Sequence, residues 1–212
     1  MTPLKYTPLN IELDFVISID CLPEGEREKF QLAQTLTADL KDIVTHAVAK
    51  CDNRSSFFKL FDSLKQKAAG GNQFCINFIT HGNQDGIGFK ANKEFISWDE
   101  LSVLLQPINE YMKGQLLINM VSCQGLYGIK MSTFAKDTFP CYGLIGSQKS
   151  LKVSHAKIIN QLFYQGLAAG KSIEKIMPEI ITTFDKTQKI VLEIYCSTAE
   201  GYSYIEQNKD DK

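Results

Sequence analysis

The sequence predicts an α/β fold built on a mainly parallel central sheet of six strands. Dense apolar segments rich in Val, Ile and Phe alternate with segments of helical periodicity along the chain of 212 residues. This alternation is typical of parallel sheets, because each parallel strand pair needs a long crossover connection. No internal repeat and no linker rich in Pro, Gly or Ser interrupts it. We therefore expect a single domain over residues 1–205 and a flexible polar tail at 206–212.

The first third of the chain predicts two strands, each followed by a helix. Residues 11–20 are β-branched and apolar, and residues 23–40 open with acidic residues and continue with apolar residues at helical spacing. The Val and Ile content of 42–50 favours a second strand. Residues 56–69 form the next helix, which Gly70-Gly71 ends. Its apolar stripe consists of Phe57, Leu60, Phe61 and Leu64.

The remaining elements follow from the same two periodicities. Short apolar runs predict strands at 73–80, 115–122, 141–147 and 189–197. Helical spacing predicts helices at 98–108 and 126–136 and a long helical region at 154–184, with a turn at Gly170-Lys171-Ser172. Asp85-Gly86, within 82–89, is a strong hairpin signal.

Composition excludes several classes of function. Lys and Arg total 23 against 24 Asp and Glu, and this balance does not fit a dedicated nucleic-acid binder. No apolar run reaches the ~18 residues of a membrane span. The first residues lack the basic start and apolar middle of a signal peptide. We expect a cytoplasmic protein whose partner is neither nucleic acid nor membrane.

The six cysteines indicate neither disulfides nor a metal site. They stand at 21, 51, 75, 123, 141 and 196, without a C-x-x-C pair and without clustering with His. We therefore expect reduced thiols, most of them buried as small apolar residues, and no metal or other cofactor.

Two side chains able to do chemistry follow directly after two strongly apolar strands. His81 follows 73–80 and Cys123 follows 115–122, so a parallel sheet places both at the same edge. If the strands are neighbours, the imidazole can accept the thiol proton and later protonate a leaving amine. The amides of Gly82 and Cys123 can then donate to a developing oxyanion. The alternative is that Cys123 is a small core residue and His81 a structural loop histidine.

These residues and their surroundings resemble a known peptidase clan. His81-Gly82 and 122-SCQG-125 are similar to the His-Gly and Cys-x-Gly motifs of caspase-like cysteine peptidases. The segments 77-NFITHGNQDGIGF-89, 116-LLINMVSCQG-125 and 143–176 resemble the CHAT domains of that clan, and the likeness covers about residues 11 to 200.

The resemblance implies a three-layer α/β/α sandwich and an endopeptidase that uses His81 as general base and Cys123 as nucleophile. Gly82 would share the oxyanion with Cys123. The loops at 20–26 and 146–149 would frame the specificity pocket, with Asp20 and Ser147 as substrate-binding residues. Asp20 and Glu24 either receive a basic side chain of the substrate or are simply acids near a helix start.

The likeness has limits that bear on specificity and setting. Val121 stands where caspases have a Gln, so strict cleavage after Asp is not expected, and no acidic linker for maturation follows Cys123. The resemblance implies a regulated enzyme that acts on a protein partner, such as a pore-forming effector in bacterial defence or cell death. Two other hypotheses remain open, a catalytically silent binding module and a redox-sensing thiol protein. His46 and His155 are predicted to be structural.

Overall fold

Nine strands and seven α-helices make up the part of the chain that the structure describes. The computed structural model describes residues 13–89, 93–120, 122–134, 140–147, 149–171, 173–185 and 192–196, the side chains of 173, 174, 184, 185 and 192–196 excepted. The strands are β1 (Phe15–Asp20), β2 (Thr45–Lys50), β3 (Phe74–Ile79), β4 (His81–Asn83), β5 (Gly86–Phe89), β6 (Glu94–Ser97), β7 (Leu117–Met120), β8 (Gly143–Ser147) and β9 (Leu192–Cys196). The helices are α1 (Glu24–Phe30), α2 (Leu32–Leu40), α3 (Arg54–Ala69), α4 (Trp98–Tyr111), α5 (Met131–Phe134), α6 (Val153–Ala168) and α7 (Ile173–Asp185), with a 3-10 helix at Gly125–Lys130.

The central sheet is mainly parallel, as the sequence predicted. Its six strands run in the order β2-β1-β3-β7-β8-β9. All neighbouring pairs are parallel except β8 and β9, which are antiparallel at one edge. The carboxyl ends of β1, β3, β7 and β8 therefore lie along one edge of the sheet, where ligand sites of α/β proteins are usually found.

Helices cover both faces of this sheet, an arrangement compatible with a three-layer sandwich. On one face, α3 and α4 pack on side chains such as Ile76, Phe78 and Ile118. On the other face, α2, α6 and α7 pack on Cys75 and Leu117. Neighbouring residues of a strand point to opposite faces, so β3 is buried along its whole length. The predicted stripe of α3 faces the first core, with Phe57, Phe61 and Leu64 buried and Leu60 partly buried.

The prediction of one helix over 23–40 is wrong, because the helix breaks at Gln31. This residue adopts a left-handed conformation with φ of 50°, ending α1 and starting α2. The two helices bury different partners. Arg27 of α1 is directed at the end of β1, whereas Leu36 and Leu40 of α2 join the core against α6. The break lets each helix take its own direction.

A small antiparallel sheet follows directly after β3. It has the order β4-β5-β6, and the hairpin at Asp85-Gly86 joins its first two strands as predicted. The third strand, β6, lies in a segment that the sequence analysis assigned to no element. Asn83 Oδ1 accepts hydrogen bonds from the amides of Asp85 and Gly86, which shapes the turn. Because β4 begins with His81, the hairpin holds this histidine at the edge of the central sheet.

Membrane-spanning helices are not found among the described residues: none of those helices is long and apolar enough to cross a bilayer.

Candidate active site

The sheet brings the predicted histidine and cysteine to the same edge. Strands β3 and β7 are direct neighbours, and Cys75, Ile76 and Asn77 pair with residues 42 positions later in the chain. His81 and Cys123 are also 42 positions apart. The two residues therefore follow neighbouring parallel strands at the same sequence offset that the strands show in their pairing.

The backbones of the two segments meet at Gly82. A Cβ atom at this position would lie 2.7 Å from Cys123 O and 3.3 Å from Ser122 Oγ. Gly125 is enclosed even more tightly, since its Cβ would lie 2.2 Å from Met120 O. Both glycines of the predicted motifs are thus required by close backbone approach. The contact fixes the His81 loop against the Cys123 loop.

Cys123 lies at a sharp turn after β7. The next residue, Gln124, adopts a left-handed conformation with φ of 56° and leads into the 3-10 helix. The thiol of Cys123 donates to Leu151 O at an Sγ···O distance of 4.0 Å, a long contact that leaves the sulfur weakly held. Within the described part of the chain it makes no hydrogen bond to the His81 ring. In enzymes without bound substrate, catalytic hydrogen bonds are often long and tighten only in the complex.

Cys123 differs from the other cysteines whose side chains are described. It is partly exposed, whereas Cys21, Cys51, Cys75 and Cys141 are buried. Burial raises the pKa of Cys51 to about 11 and that of Cys75 to about 12, and it raises the pKa of Cys21 well above its usual range. Those three groups remain protonated thiols at neutral pH. Cys123 combines partial exposure with a position at the carboxyl edge of the sheet.

The ring of His81 is held by a carboxylate from α1. Its Nε2 atom lies 2.6 Å from Glu26 Oε2. The two side chains are 39% and 22% exposed, so the bond is partly shielded from water. Thr80, which precedes the histidine, places its hydroxyl 3.2 Å from both His81 O and Gly88 O. The histidine is therefore restrained through its ring and through its backbone.

Helix α1 is itself anchored by a buried arginine. The Arg27 side chain is 4% exposed and donates to the carbonyl oxygen of Asp20 at the end of β1. It also pairs with Asp20 Oδ1 at 3.3 Å, with Asp52 Oδ1 at 2.6 Å and with Glu24 Oε2 at 3.1 Å. One guanidinium thereby ties α1 to the carboxyl ends of β1 and β2.

Asp20 is placed differently from the two roles considered for it. The residue is 3% exposed, and its carboxylate accepts from Leu22 N and Arg27 Nε. Burial raises the pKa of Asp20, and the Arg27 charge opposes that rise. Asp20 is therefore not a solvated loop acid, and its carboxylate is directed at Arg27 rather than at an open surface. Its role in the structure is to balance the charge of Arg27. Glu24 is exposed and shared between Arg27 and Lys50.

Ser147 supports the Cys123 loop indirectly. It is 2% exposed, and its hydroxyl donates to Lys149 O and accepts from Lys149 N, at 3.0 and 3.2 Å. Lys149 O also accepts from Gln124 N at 3.2 Å. Ser147 therefore shapes the turn after β8 on which the residue following Cys123 rests. Direct contact with a substrate stays a prediction.

His46 is engaged in a local hydrogen-bond chain on β2. Thr37 Oγ1 donates to Ala33 O and lies 2.9 Å from His46 Nδ1, while Ser18 Oγ lies 2.8 Å from His46 Nε2. These partners fit a neutral ring that donates from Nδ1 and accepts at Nε2. Burial lowers the pKa of His46, in keeping with that neutral form. A structural role accounts for these contacts.

The roles of Glu26, Arg27 and Asp52 were not predicted from the sequence. Glu26 and Arg27 stand in an acidic and basic opening turn of a helix, a pattern that usually means only a solvated helix start. Asp52 stands in a loop after β2. Their convergence depends on strand order, which local sequence does not encode.

Possible metal ligands and similarity to known proteins also bear on this site. In the described ranges, no three His, Cys, Asp or Glu side chains are grouped so as to hold a metal ion. No protein-family model matches the chain, and no curated protein matches it in sequence. The arrangement of Cys123, His81 and their neighbours is therefore the basis for inferring a function.

Proposed function

We propose that the protein is a caspase-like cysteine endopeptidase with Cys123 as nucleophile and His81 as general base. One observation carries the proposal: a partly exposed thiol and an imidazole follow neighbouring parallel strands at the carboxyl edge of the sheet, where Gly82 closely approaches the backbone of Cys123. Covalent catalysis requires a base that can reach the nucleophile, and placement at one sheet edge supports this.

The reaction follows from the chemistry of these two groups. His81 accepts the thiol proton, and the Cys123 thiolate attacks the scissile carbonyl carbon to form a tetrahedral intermediate. Collapse of that intermediate breaks the C–N bond, and the imidazolium gives its proton to the leaving amine. A water molecule, deprotonated by the same imidazole, then hydrolyses the acyl-enzyme and regenerates the thiol.

The negative charge of the intermediate needs hydrogen-bond donors. The amides of Gly82 and Cys123 are the proposed donors, since both belong to the contact between the two loops. Removal of one such donor typically costs about 10²–10³ in kcat. The tight approach of Gly82 to the carbonyl oxygen of Cys123 supports this assignment, because it keeps the two residues next to each other.

The proposed substrate is a protein partner, such as a pore-forming or other effector protein. The resemblance to CHAT domains carries this part of the proposal. Val121 in place of the caspase Gln argues against a strict requirement for Asp before the cut. Asp20 is buried and paired with Arg27, so the proposal does not assign it to a basic residue of the substrate.

The test is active-site labelling by a peptide electrophile that reacts with thiolates. We expect labelling of Cys123 that is lost in Cys123→Ala and falls by about 10²-fold or more in His81→Ala, the size of a general-base contribution. Cys196 lies outside the described side chains, so all proteins carry Cys196→Ser. Cys141→Ala, at a buried cysteine, is the matched control and should label normally.

Two results would overturn the proposal. Labelling of Cys123 that does not depend on His81 would favour a silent binding module. Reversible oxidation of Cys123, without cleavage of any member of a peptide library, would favour a redox sensor.

A further inference from the structure

We propose that Glu26 is a positioning residue for His81, so that the reactive unit is a Cys123–His81–Glu26 triad. This inference rests on the proposed function. The geometry points to it because Glu26 Oε2 lies 2.6 Å from His81 Nε2, the distance of a strong charge-assisted hydrogen bond. The carboxylate and the imidazole belong to different elements, α1 and β4, and stand 55 residues apart in sequence.

The bond sets which ring nitrogen of His81 can act as base. A carboxylate only accepts hydrogen bonds, so it requires the proton of the neutral imidazole to be on Nε2. Nδ1 is then left with its lone pair and is the atom that takes the thiol proton of Cys123. When it does so, the resulting imidazolium keeps its Nε2–H bond to Glu26, and the carboxylate stabilises the positive charge. The proton on Nδ1 later passes to the leaving amine.

The carboxylate is held in place by the rest of its helix. Arg27, the next residue, is buried and binds Asp20 and Asp52 at the strand ends. Adjacent residues of an α-helix are rotated by about 100°, so Arg27 directed at β1 and β2 leaves Glu26 on a neighbouring side of α1, against β4. The Glu26 side chain is only 22% exposed, in contrast to Glu24 at 61%. Asp20, expected to meet substrate, acts in this scheme by holding α1.

The same measurement distinguishes positioning of His81 by Glu26 from restraint of His81 by Glu26. A short bond to Glu26 could hold the ring away from Cys123 and restrain the enzyme until substrate arrives. Loss of the carboxylate would then speed the reaction of the thiol. A positioning role predicts that the reaction slows.

The experiment measures the rate at which iodoacetamide alkylates Cys123, with Cys196→Ser as the background. Glu26→Gln keeps the size of the side chain but removes the charge, and its amide can donate to Nε2 and move the ring proton to Nδ1. We expect Glu26→Gln and Glu26→Ala to slow alkylation at least about tenfold, and His81→Ala to slow it by about 10²-fold or more. Glu28→Gln is the matched control, because it removes one exposed acid from the same helix. Its rate should be unchanged.

A second readout separates positioning from a general loss of structure. Nitrogen-15 NMR of the His81 ring should show the proton on Nε2 in the parent protein and in Glu28→Gln, and a shift toward Nδ1 in Glu26→Gln. Thermal unfolding checks that each variant folds. If His81→Ala slows alkylation while Glu26→Gln leaves it unchanged or speeds it, the triad is refuted and the dyad stands. If His81→Ala has no effect, both proposals fail.

Discussion

Substitution of Gly82 by Ala tests the contact on which the site depends. The new Cβ would lie 2.7 Å from Cys123 O, and ordinary contact begins at 3.4 Å, so the two loops must separate by about 0.7 Å. Overpacking of this kind costs about 1–3 kcal/mol of stability, which corresponds to about 2–12 °C in melting temperature for a chain of this length. A 1 Å misplacement can cost about 10²-fold in rate. We expect alkylation of Cys123 to slow about tenfold in Gly82→Ala.

Gly88→Ala is the matched control for this prediction. Gly88 faces His81 across the same hairpin, but its added Cβ would lie 3.7 Å from Glu94 O, an ordinary contact. Melting followed by circular dichroism and alkylation followed by mass spectrometry compare the two variants. If Gly82→Ala melts and reacts like Gly88→Ala, the loops are not in the contact described and the argument for the site fails.

Two further predictions concern the charges that hold α1 and α4. Arg27→Met leaves the buried Asp20 carboxylate unpaired, at a cost of about 3–5 kcal/mol. Burial raises the pKa of Asp20, so acidification protonates this residue in the folded state before it does so in the unfolded state. Denaturant titrations should therefore show that Arg27→Met loses less free energy of unfolding at pH 5 than at pH 7. Equal losses at the two pH values would contradict this account. Arg54 and the Ser97 backbone lower the pKa of Glu100 to about 2. The stabilising effect of Glu100 is complete above its usual pKa of 4.5 and is lost as the pH falls toward 2. The free energy of unfolding of Glu100→Gln should therefore depend less on pH over that interval than that of the parent protein. An unaltered pH dependence would refute the pairing.

The central sheet was predictable because its signals are local. Strands such as β3 and β7 are short apolar runs of the kind that buried parallel strands require, and α3 shows its apolar stripe. The break at Gln31 was not predictable, since a glutamine in a left-handed conformation carries no sequence signal. The division into α1 and α2 comes from the different partners that the two helices bury.

The site divides in the same way. His81 and Cys123 were recognised because each follows an apolar strand directly, and parallel strands end at one edge. The Glu26 contact was not recognised, because it needs the helix after β1 to reach the strand after β3. The interpretation of Asp20 changed for the same reason, since the nearby Arg27 turns inward and neutralises it.

The amino-acid sequence by itself determined the alternation of strands and helices and the placement of an imidazole and a thiol at strand ends, because hydrophobic periodicity and turn residues act over a few positions. Only the tertiary structure decided that β3 and β7 are neighbours, that Gly82 touches Cys123 and that a carboxylate from α1 binds His81. These relations depend on strand order and on helix packing across the sheet, which are set by the burial of whole faces rather than by any one segment.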